Sequence, residues 1–184
     1  MAIPKDCKCH YPKTTATPPE EYKALSMPEI LSAIEEGMLS RFCDESDTIE
    51  GEEWNDSFGF NAAKFALTLD FTDPEHFKQV HKIIGQRVNE PWVGKWRKVQ
   101  VFVGSYVPPK PEDVQKQMEI LCGLMPDLNS WQAHNHFERI HPFQDFNGRV
   151  GRLLWLSIAY RKERYRFGRS FLHEYYYQTL RYGK

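Results

Sequence analysis

The segment of this 184-residue chain that is richest in reactive side chains runs from His141 to Arg152. It holds an imidazole, a carboxylate and two guanidinium groups, on His141, Asp145, Arg149 and Arg152. Asn147 and Gly148 stand just before a run with helical spacing, so free backbone N–H groups and the positive end of a helix dipole would meet the two guanidinium groups. Such a place favours an anion, and a phosphate most of all.

Each reactive side chain of this segment has a use beside a phosphate. Arg149 and Arg152 are three residues apart, so they lie on adjacent parts of one helical face and can bind different phosphates through bidentate hydrogen bonds. Asp145 is a hard oxygen ligand suited to Mg²⁺, which proteins hold with one or two carboxylates plus phosphate oxygens. His141 is the natural proton acceptor.

The composition of the chain limits the classes of protein to consider. Its 41% of hydrophobic residues, with 12 Phe, 9 Tyr and 5 Trp, can form a core and exclude wholesale disorder. A formal net charge of -1 argues against a generally basic nucleic-acid binder, so we expect no nucleic acid as a partner. No run approaches the roughly 18 to 20 apolar residues that span a bilayer, so we expect no membrane association. The composition leaves the oligomeric state open.

The four cysteines bear on the compartment. They are too few and too unevenly spaced for a disulfide framework, and the N-terminus lacks the apolar run of a signal peptide. We therefore expect a cytoplasmic protein, while delivery into another cell stays open.

The spacing of apolar residues predicts a mainly helical fold. Ile30, Ile34, Met38 and Phe42 recur every four residues, which is typical of an amphipathic helix. Helices are predicted over residues 27–43, 62–69, 74 to just before 91, 112–124, 129 or 130 to 140, 150–160 and 171–182. Between residues 94 and 107 the period changes to two, with Val99, Val101 and Val103 on one side, which predicts a strand or short hairpin.

Residues 141–152 read His-Pro-Phe-Gln-Asp-Phe-Asn-Gly-Arg-Val-Gly-Arg, which resembles the signature of Fic (Fic/Doc superfamily) domains, H-P-F-x-[DE]-G-N-G-R-x-x-R. Eight of its nine specified positions match. The resemblance implies a Fic-like helical bundle with a small β-hairpin flap over the active-site loop. It also implies transfer of AMP from ATP to a hydroxyl side chain of a target protein.

The resemblance further implies a role for each matched position. His141 would deprotonate the target hydroxyl, Asp145 would hold Mg²⁺ on the α- and β-phosphates, and Phe143 would anchor the loop in the core. The nucleotide would be bound by Asn147, Gly148, Arg149 and Arg152, the last of them fixing the γ-phosphate. An unidentified protein substrate would pair as an added strand with the flap, at Val99, Val101 and Val103.

One position departs from the signature, because Phe146 stands where the family has glycine. A bulky side chain makes a positive φ costly, so either the loop accommodates Phe146 or phosphate binding is weakened. We favour accommodation; the alternative is an inactive or weakly active Fic-like interaction module. Gly148, where a phosphate-transferring relative has lysine, favours AMP transfer. A transferase that uses another nucleotide, or one that removes AMP, is a further alternative.

Many members of the family carry an inhibitory segment, [ST]-x-x-x-E-[GN], whose glutamate binds the last arginine of the signature. Ser46 to Gly51 and Ser32 to Gly37 both fit this pattern. We favour Glu50 over Glu36, because Gly51 sits where a helix could end in a left-handed cap, whereas Gly37 lies inside a continuing apolar rhythm. The resemblance then divides the chain into a flexible N-terminal arm, residues 1–25, a helical region with the inhibitory motif, 26–55, and a Fic-like catalytic domain, 56–184.

Overall fold

The structure, a computed structural model, describes residues 27–52 and 57–163 and is mainly helical, which confirms the predicted class. Within these residues the α-helices are α1 Met27–Ile49, α2 Phe58–Ala66, α3 Pro74–Ile84, α4 Val114–Leu124, α5 Ser130–Ile140 and α6 Asn147–Lys162. Short 3₁₀ turns follow α3 at Gly85–Arg87 and precede α4 at Pro111–Asp113. The predicted arm, residues 1–25, and the predicted helix over residues 171–182 lie outside the described residues. The division into three regions stays a prediction.

Helix α6 lies at the centre of the fold. It is buried on all sides from Asn147 to Ala159 and packs against α1, α2, α3 and α5. Its residues from Leu153 to Ala159 are almost all apolar, and an apolar surface of this kind is stable only when neighbouring elements cover it, which explains the central position of the helix. Aromatic rings continue the core beside it, with Phe77 stacked on Phe137 at 5.3 Å between ring centroids.

Side-chain caps define where the helices that flank the reactive loop begin. The Asn129 side chain accepts a hydrogen bond from the Gln132 N–H at 2.8 Å, and the Gln132 side chain accepts one from the Asn129 N–H at 3.1 Å, which forms a capping box at the start of α5. Asp73 caps α3 by accepting a bond from the Glu75 N–H at 2.8 Å. Each cap satisfies N–H groups that would otherwise lack a partner.

Several predicted boundaries were wrong. Helix α1 continues past residue 43 to Ile49, since acidic side chains of its last turns are held by arginines elsewhere in the fold. Helix α6 begins at Asn147 rather than residue 150. Helix α2 lies at 58–66 rather than 62–69. Helix α3 does end before Pro91, as predicted, but it ends at Ile84, and a 3₁₀ turn follows it. Tertiary contacts of this kind override local propensity.

The predicted hairpin flap is not confirmed. Residues 94–107 contain one antiparallel bridge, in which Val103 and Tyr106 exchange backbone hydrogen bonds at 3.0 Å, and no regular strand occurs anywhere in 27–52 or 57–163. Side chains occupy carbonyls that a strand partner would otherwise use: Arg97 Nη1 donates to the Val99 carbonyl, and Gln100 Nε2 donates to the Val101 carbonyl. We call residues 97–109 the flap segment.

No helix of the described ranges is long and apolar enough to cross a membrane.

Candidate active site

The signature loop, residues 141–146, connects the end of α5 to the start of α6. His141 is the C-cap of α5, with φ 48° and ψ 62°, and its N–H donates to the Phe137 carbonyl at 2.9 Å. A left-handed residue at this position turns the chain away from the helix axis. The His141 side chain is 20% exposed, so the imidazole is held by the fold and still open to solvent.

Phe143 and Asn147 hold the interior of the loop. Phe143 is fully buried, as the predicted anchor requires. The Asn147 side chain accepts from the Phe143 N–H at 2.8 Å and donates to the Phe143 carbonyl at 2.9 Å, which closes residues 143–147 into one turn. Since both ends of this amide are used within the loop, Asn147 offers an anion its backbone N–H rather than its side chain.

His81 supports the loop from α3, a role that the sequence reasoning missed. Its ring stacks on Phe143 with centroids 3.8 Å apart. Its Nδ1 accepts from the Gly94 N–H at 2.8 Å, so the ring proton lies on Nε2 and is donated to the Asp145 carbonyl, 3.2 Å away. Burial lowers the pKa of His81 to about 4, which keeps the ring neutral. Its place on the buried face of α3, four residues after Phe77, is the signal that could have found it.

Phe146 takes the left-handed conformation, with φ 60° and ψ 11°. Its side chain is 4% exposed and packs between the rings of Trp92 and His81, whose centroids are 5.7 and 5.9 Å from its own. The Arg149 guanidinium carbon lies 4.3 Å from the ring centroid on the other side, a cation–π contact. The loop thus accommodates Phe146 with left-handed backbone, and the buried ring helps to place Arg149.

Carboxylates from the end of α1 occupy the N-terminus of α6. Glu50 Oε1 accepts from Arg152 Nη2 at 2.5 Å, while Arg152 donates from Nε to Ser46 Oγ at 2.7 Å and from Nη2 to the Ser46 carbonyl at 2.9 Å. Arg152 is 4% exposed. Gly51 follows with φ +74° and ends the segment in a left-handed turn, as its position predicted. The structure therefore brings Ser46 and Glu50 to the last arginine of the signature.

A second set of ion pairs binds Arg149, and sequence reasoning did not find it. Arg149 Nη1 lies 2.6 Å from Glu52 Oε2 and 3.5 Å from Asp47 Oδ1. The same Asp47 oxygen lies 3.1 Å from Arg87 Nη1, so α1 is tied to the end of α3 as well. Buried arginines are tolerated when they are paired in this way. The acidic stretch was visible in the sequence, but only the family pattern singled out one of its members.

Gly148 makes room for the Glu50 carboxylate. A Cβ atom at position 148 would overlap Glu50 Oε1 and approach Arg152 Nη1 to 3.1 Å. Glycine here lets an anionic group reach the first turn of α6, where backbone N–H groups have no partner inside the helix. Glu36, the other candidate inhibitor, lies elsewhere: its carboxylate pairs with Lys64 at 3.0 Å on the surface.

Asp145 presents a single exposed carboxyl group near the loop. Its Oδ1 accepts from the Phe146 N–H at 2.6 Å. Within the described part of the chain, no three His, Cys, Asp or Glu side chains are grouped as a protein-only metal site. One carboxylate is the donor set expected for Mg²⁺ that arrives with phosphate oxygens.

Arg97 fastens the flap segment to the signature loop. Its buried guanidinium donates from Nε to the His141 carbonyl at 2.8 Å and from Nη2 to the Pro109 carbonyl at 2.5 Å, and its backbone N–H donates to the Pro142 carbonyl at 2.9 Å. Burial lowers the pKa of Arg97. Beyond this anchor Val99 and Val103 are exposed, whereas Val101 is half-buried.

A family comparison gives the site its context. The model of the Fic/DOC family matches residues 71–159, which contain α3 to most of α6, the flap segment and the whole signature loop. This part of the chain belongs to the Fic/DOC family. Arg149 and Arg152 lie within this range, and they are held in ion pairs by Glu52 and Glu50, which follow α1.

Two similar proteins carry adenylyltransferase names. The protein adenylyltransferase Fic of Nematostella vectensis is 36% identical over 92 residues, which cover 45% of this chain and 22% of that protein. The protein adenylyltransferase Fic of Culex quinquefasciatus is 29% identical over 125 residues, covering 60% of this chain and 25% of that protein. The chain thus spans about a quarter of the length of these relatives.

A solved structure supports the Fic fold. The crystal structure of a Fic family protein from Desulfovibrio desulfuricans G20 superposes with a TM-score of 0.53 at 21% identity, covering 75% of this chain and 50% of that one. Because the superposition covers 75% of this chain, the structural similarity extends beyond residues 71–159.

Proposed function

We propose that this chain is a Mg-ATP-dependent protein adenylyltransferase whose basal activity is repressed by Glu50. One observation carries the proposal: a single short loop joins an accessible imidazole, His141, to a helix N-terminus where Arg149 and Arg152 already bind carboxylates. A base beside an anion site is what transfer of a phosphorus group to a hydroxyl requires. The names of the relatives direct the choice toward AMP.

The proposed reaction transfers the adenylyl group in one displacement. His141 takes the proton of a target hydroxyl, and the oxygen forms a bond to the α-phosphorus of ATP. The bond between the α-phosphorus and the oxygen that bridges to the β-phosphate breaks, and pyrophosphate leaves with that electron pair. The imidazolium later returns its proton to solvent. Holding both reactants in line lowers the entropic part of the barrier.

The triphosphate would occupy the places that carboxylates just after α1 now fill. Arg152 would bind the γ-phosphate in place of Glu50, and Arg149 would bind its neighbour in place of Glu52. The backbone N–H groups of Asn147 and Gly148 would complete this phosphate-binding site at the N-terminus of α6. Because residue 148 is glycine, an oxygen atom can approach the site without meeting a Cβ atom.

Asp145 would hold the Mg²⁺ that accompanies the nucleotide. When bound, the ion supplies charge neutralisation for the phosphates. This role suits a lone carboxylate at the loop surface, and His81 fixes the Asp145 backbone next to it.

Repression follows from competition for Arg152. While Glu50 and Ser46 use Nε and Nη2 of this arginine, a γ-phosphate cannot take the same donors. ATP would then bind with its α-phosphorus poorly aligned for attack by the target hydroxyl. Removing the Glu50 carboxylate frees Arg152 and should raise activity.

The protein substrate would dock at the flap segment. Val99 and Val103 are exposed and could face an extended segment of the target, whose hydroxyl would then lie beside His141. The identity of the target is open, because pairing through backbone hydrogen bonds depends little on the side chains of the target.

Labelling with radioactive ATP tests the proposal. With Mg²⁺, label at the α-phosphate should appear on the protein itself or on lysate proteins, and label at the γ-phosphate should not. Glu50→Gly should raise the incorporation about tenfold or more, since about 1.4 kcal/mol of lost occlusion corresponds to a factor of ten. His141→Ala should abolish it. Glu36→Gln, which removes the exposed carboxylate paired with Lys64, is the matched control and should behave as the parent.

A second candidate is a Fic-like module that binds a partner through the flap without transferring AMP. The Phe146 side chain favours it, since the signature has glycine at this position and the ring contacts Arg149. Titration with ATP separates the two: the module should not bind ATP at millimolar concentration even as the Glu50→Gly variant, whereas the enzyme should.

A further inference from the structure

The carboxylate of Glu138 lies between two histidines of the site. Glu138 is on α5, one turn before the signature loop, and its Oε2 is 3.6 Å from His141 Nδ1. Its other oxygen, Oε1, is 4.0 Å from His134 Nδ1. We propose that Glu138 is a positioning residue that orients the His141 imidazole and fixes its tautomer. The catalytic role of Glu138 rests on the proposed function, whereas the contact between Glu138 and His141 does not.

His141 is the functional partner of Glu138. His134 is 4% exposed, and burial lowers its pKa to about 4, so it stays neutral and offers Glu138 no charge. His141 lies nearer and is partly exposed. Its Nδ1 is buried and has no hydrogen-bond partner among the described residues, so the Glu138 carboxylate is the acceptor placed to receive its proton.

Gly151 keeps the space in which this carboxylate lies. A Cβ atom at position 151 would overlap Glu138 Oε1 and approach the Phe137 ring to 3.2 Å. The first turns of α6 therefore leave room for Glu138 on one side, just as Gly148 leaves room for an anion on the other. The Glu138 side chain is 28% exposed although its Oε1 is buried, and this partial exposure moderates the cost of placing a charge here.

The arrangement explains how His141 can act as a base. A carboxylate next to Nδ1 favours the tautomer with its proton on Nδ1, which leaves the lone pair of Nε2 free to accept a proton from a hydroxyl. It also stabilises the imidazolium that forms, the role a buried carboxylate has beside the histidine of a hydrolase triad. The separation of 3.6 Å exceeds a hydrogen bond, and such contacts in unliganded sites tighten when the reactants bind.

The contact is tested first without any nucleotide. The protein is labelled with ¹⁵N-histidine, and the His141 signals are assigned by their loss in His141→Ala. At pH 8 the parent should hold the proton on Nδ1. Glu138→Leu, which keeps the bulk and removes the acceptor, should shift His141 toward the Nε2–H form, whereas Glu138→Gln should keep the Nδ1–H form because its amide oxygen still accepts. An unchanged tautomer in Glu138→Leu overturns the proposal.

Gly151→Ala gives a second route if Glu138→Leu folds poorly. The added methyl group should displace the carboxylate and shift the tautomer in the same direction, with Glu138 still present. Glu119→Leu, an exposed glutamate on α4, is the matched control and should leave the His141 signals unchanged. A tautomer that stays on Nδ1 in Gly151→Ala counts against the proposal.

The kinetic test uses the Glu50→Gly background. Glu138→Leu should lower kcat for AMP transfer by about 10²-fold with little change in KM for ATP, and Glu138→Gln by less, because it retains the tautomer and loses only the charge. An equal decrease of kcat in both variants, or a change in KM for ATP with kcat unchanged, would contradict a positioning role. If Glu50→Gly with intact Glu138 transfers no AMP, the proposed function fails, while the spectroscopic result still decides the Glu138 contact.

Discussion

Two residues of the signature loop have left-handed backbone without being glycine, His141 and Phe146. Such conformations cost on the order of 1 kcal/mol each and persist where the surroundings enforce them. For His141 these surroundings are the bonds of its N–H to Phe137 and of its carbonyl to Arg97. For Phe146 they are the rings of Trp92 and His81. The signature singled out His141 as a site residue, and that role stays a prediction. The packing that makes phenylalanine tolerable at position 146 involves residues more than 50 positions away in the sequence, which local patterns do not reveal.

Replacing Phe146 separates strain from packing. Phe146→Ala should lower the free energy of unfolding by about 3–5 kcal/mol, the usual cost of deleting a buried ring. Phe146→Gly should be more stable than Phe146→Ala by about 1 kcal/mol, because glycine adopts the positive φ without penalty. Urea unfolding of the two variants measures the difference. A Phe146→Ala variant as stable as Phe146→Gly would show that the backbone at this position carries no strain.

At the scale of elements, ion pairs join the acidic residues at and just after the end of α1 to the arginines at the start of α6. Apolar spacing predicted α1 only to residue 43, because the residues after it are acidic and lack a periodic apolar face. Asp47 of this stretch pairs with Arg87 of the 3₁₀ turn after α3 and with Arg149 of α6, and these ion pairs stabilise its helical structure. The inhibitory pattern still predicted the contact of Glu50 with Arg152, whereas Asp47 and Glu52 have no pattern and needed the three-dimensional arrangement. The predicted strand of the flap is not confirmed, because the Arg97 and Gln100 side chains donate hydrogen bonds to carbonyls that a strand partner would otherwise use.

Two glycines of the α1 region should respond to alanine in opposite ways. Gly51 has φ +74° and open space around its Cα, so Gly51→Ala should cost about 1 kcal/mol of stability through backbone strain alone. Gly37 is inside the helix, also with open space, so Gly37→Ala should stabilise by about 0.5–1 kcal/mol. Thermal unfolding of both variants is the measurement. Only Gly51→Ala should also raise AMP transfer, because it loosens the turn that carries Glu50; a rise in both would argue against that link.

At the scale of the whole molecule, two buried histidines make stability depend on pH. Burial lowers the pKa of both His81 and His134 to about 4, below the unfolded value of 6.5. Between these values the unfolded chain binds more protons than the folded one, so stability is complete above about pH 6.5 and falls as the pH drops toward 4. Helix class and core position were predictable from hydrophobic spacing at this scale. The burial of the two histidines was not predicted, although the spacing of His81 from Phe77 indicates the buried face of α3.

Urea unfolding at pH 7.5, 5.5 and 4.5 checks this dependence. Each histidine should lower the free energy of unfolding by roughly 1 kcal/mol per pH unit inside that window. His81→Asn, compared with itself over the same range, should show a weaker dependence, and the exposed His136→Gln should follow the parent. A slope that is the same in His81→Asn as in the parent would show that His81 is not protonated on unfolding in this range.

We propose above all that the N-terminus of α6 binds a triphosphate beside His141 and that Glu50 competes with it for Arg152. The most direct test is the intact mass of the Glu50→Gly variant after incubation with ATP and Mg²⁺, next to the Glu50→Gly/His141→Ala double variant. The first protein should gain one or more adenylyl groups, and the second should gain none. No gain in Glu50→Gly, or an equal gain in the double variant, would contradict this proposal.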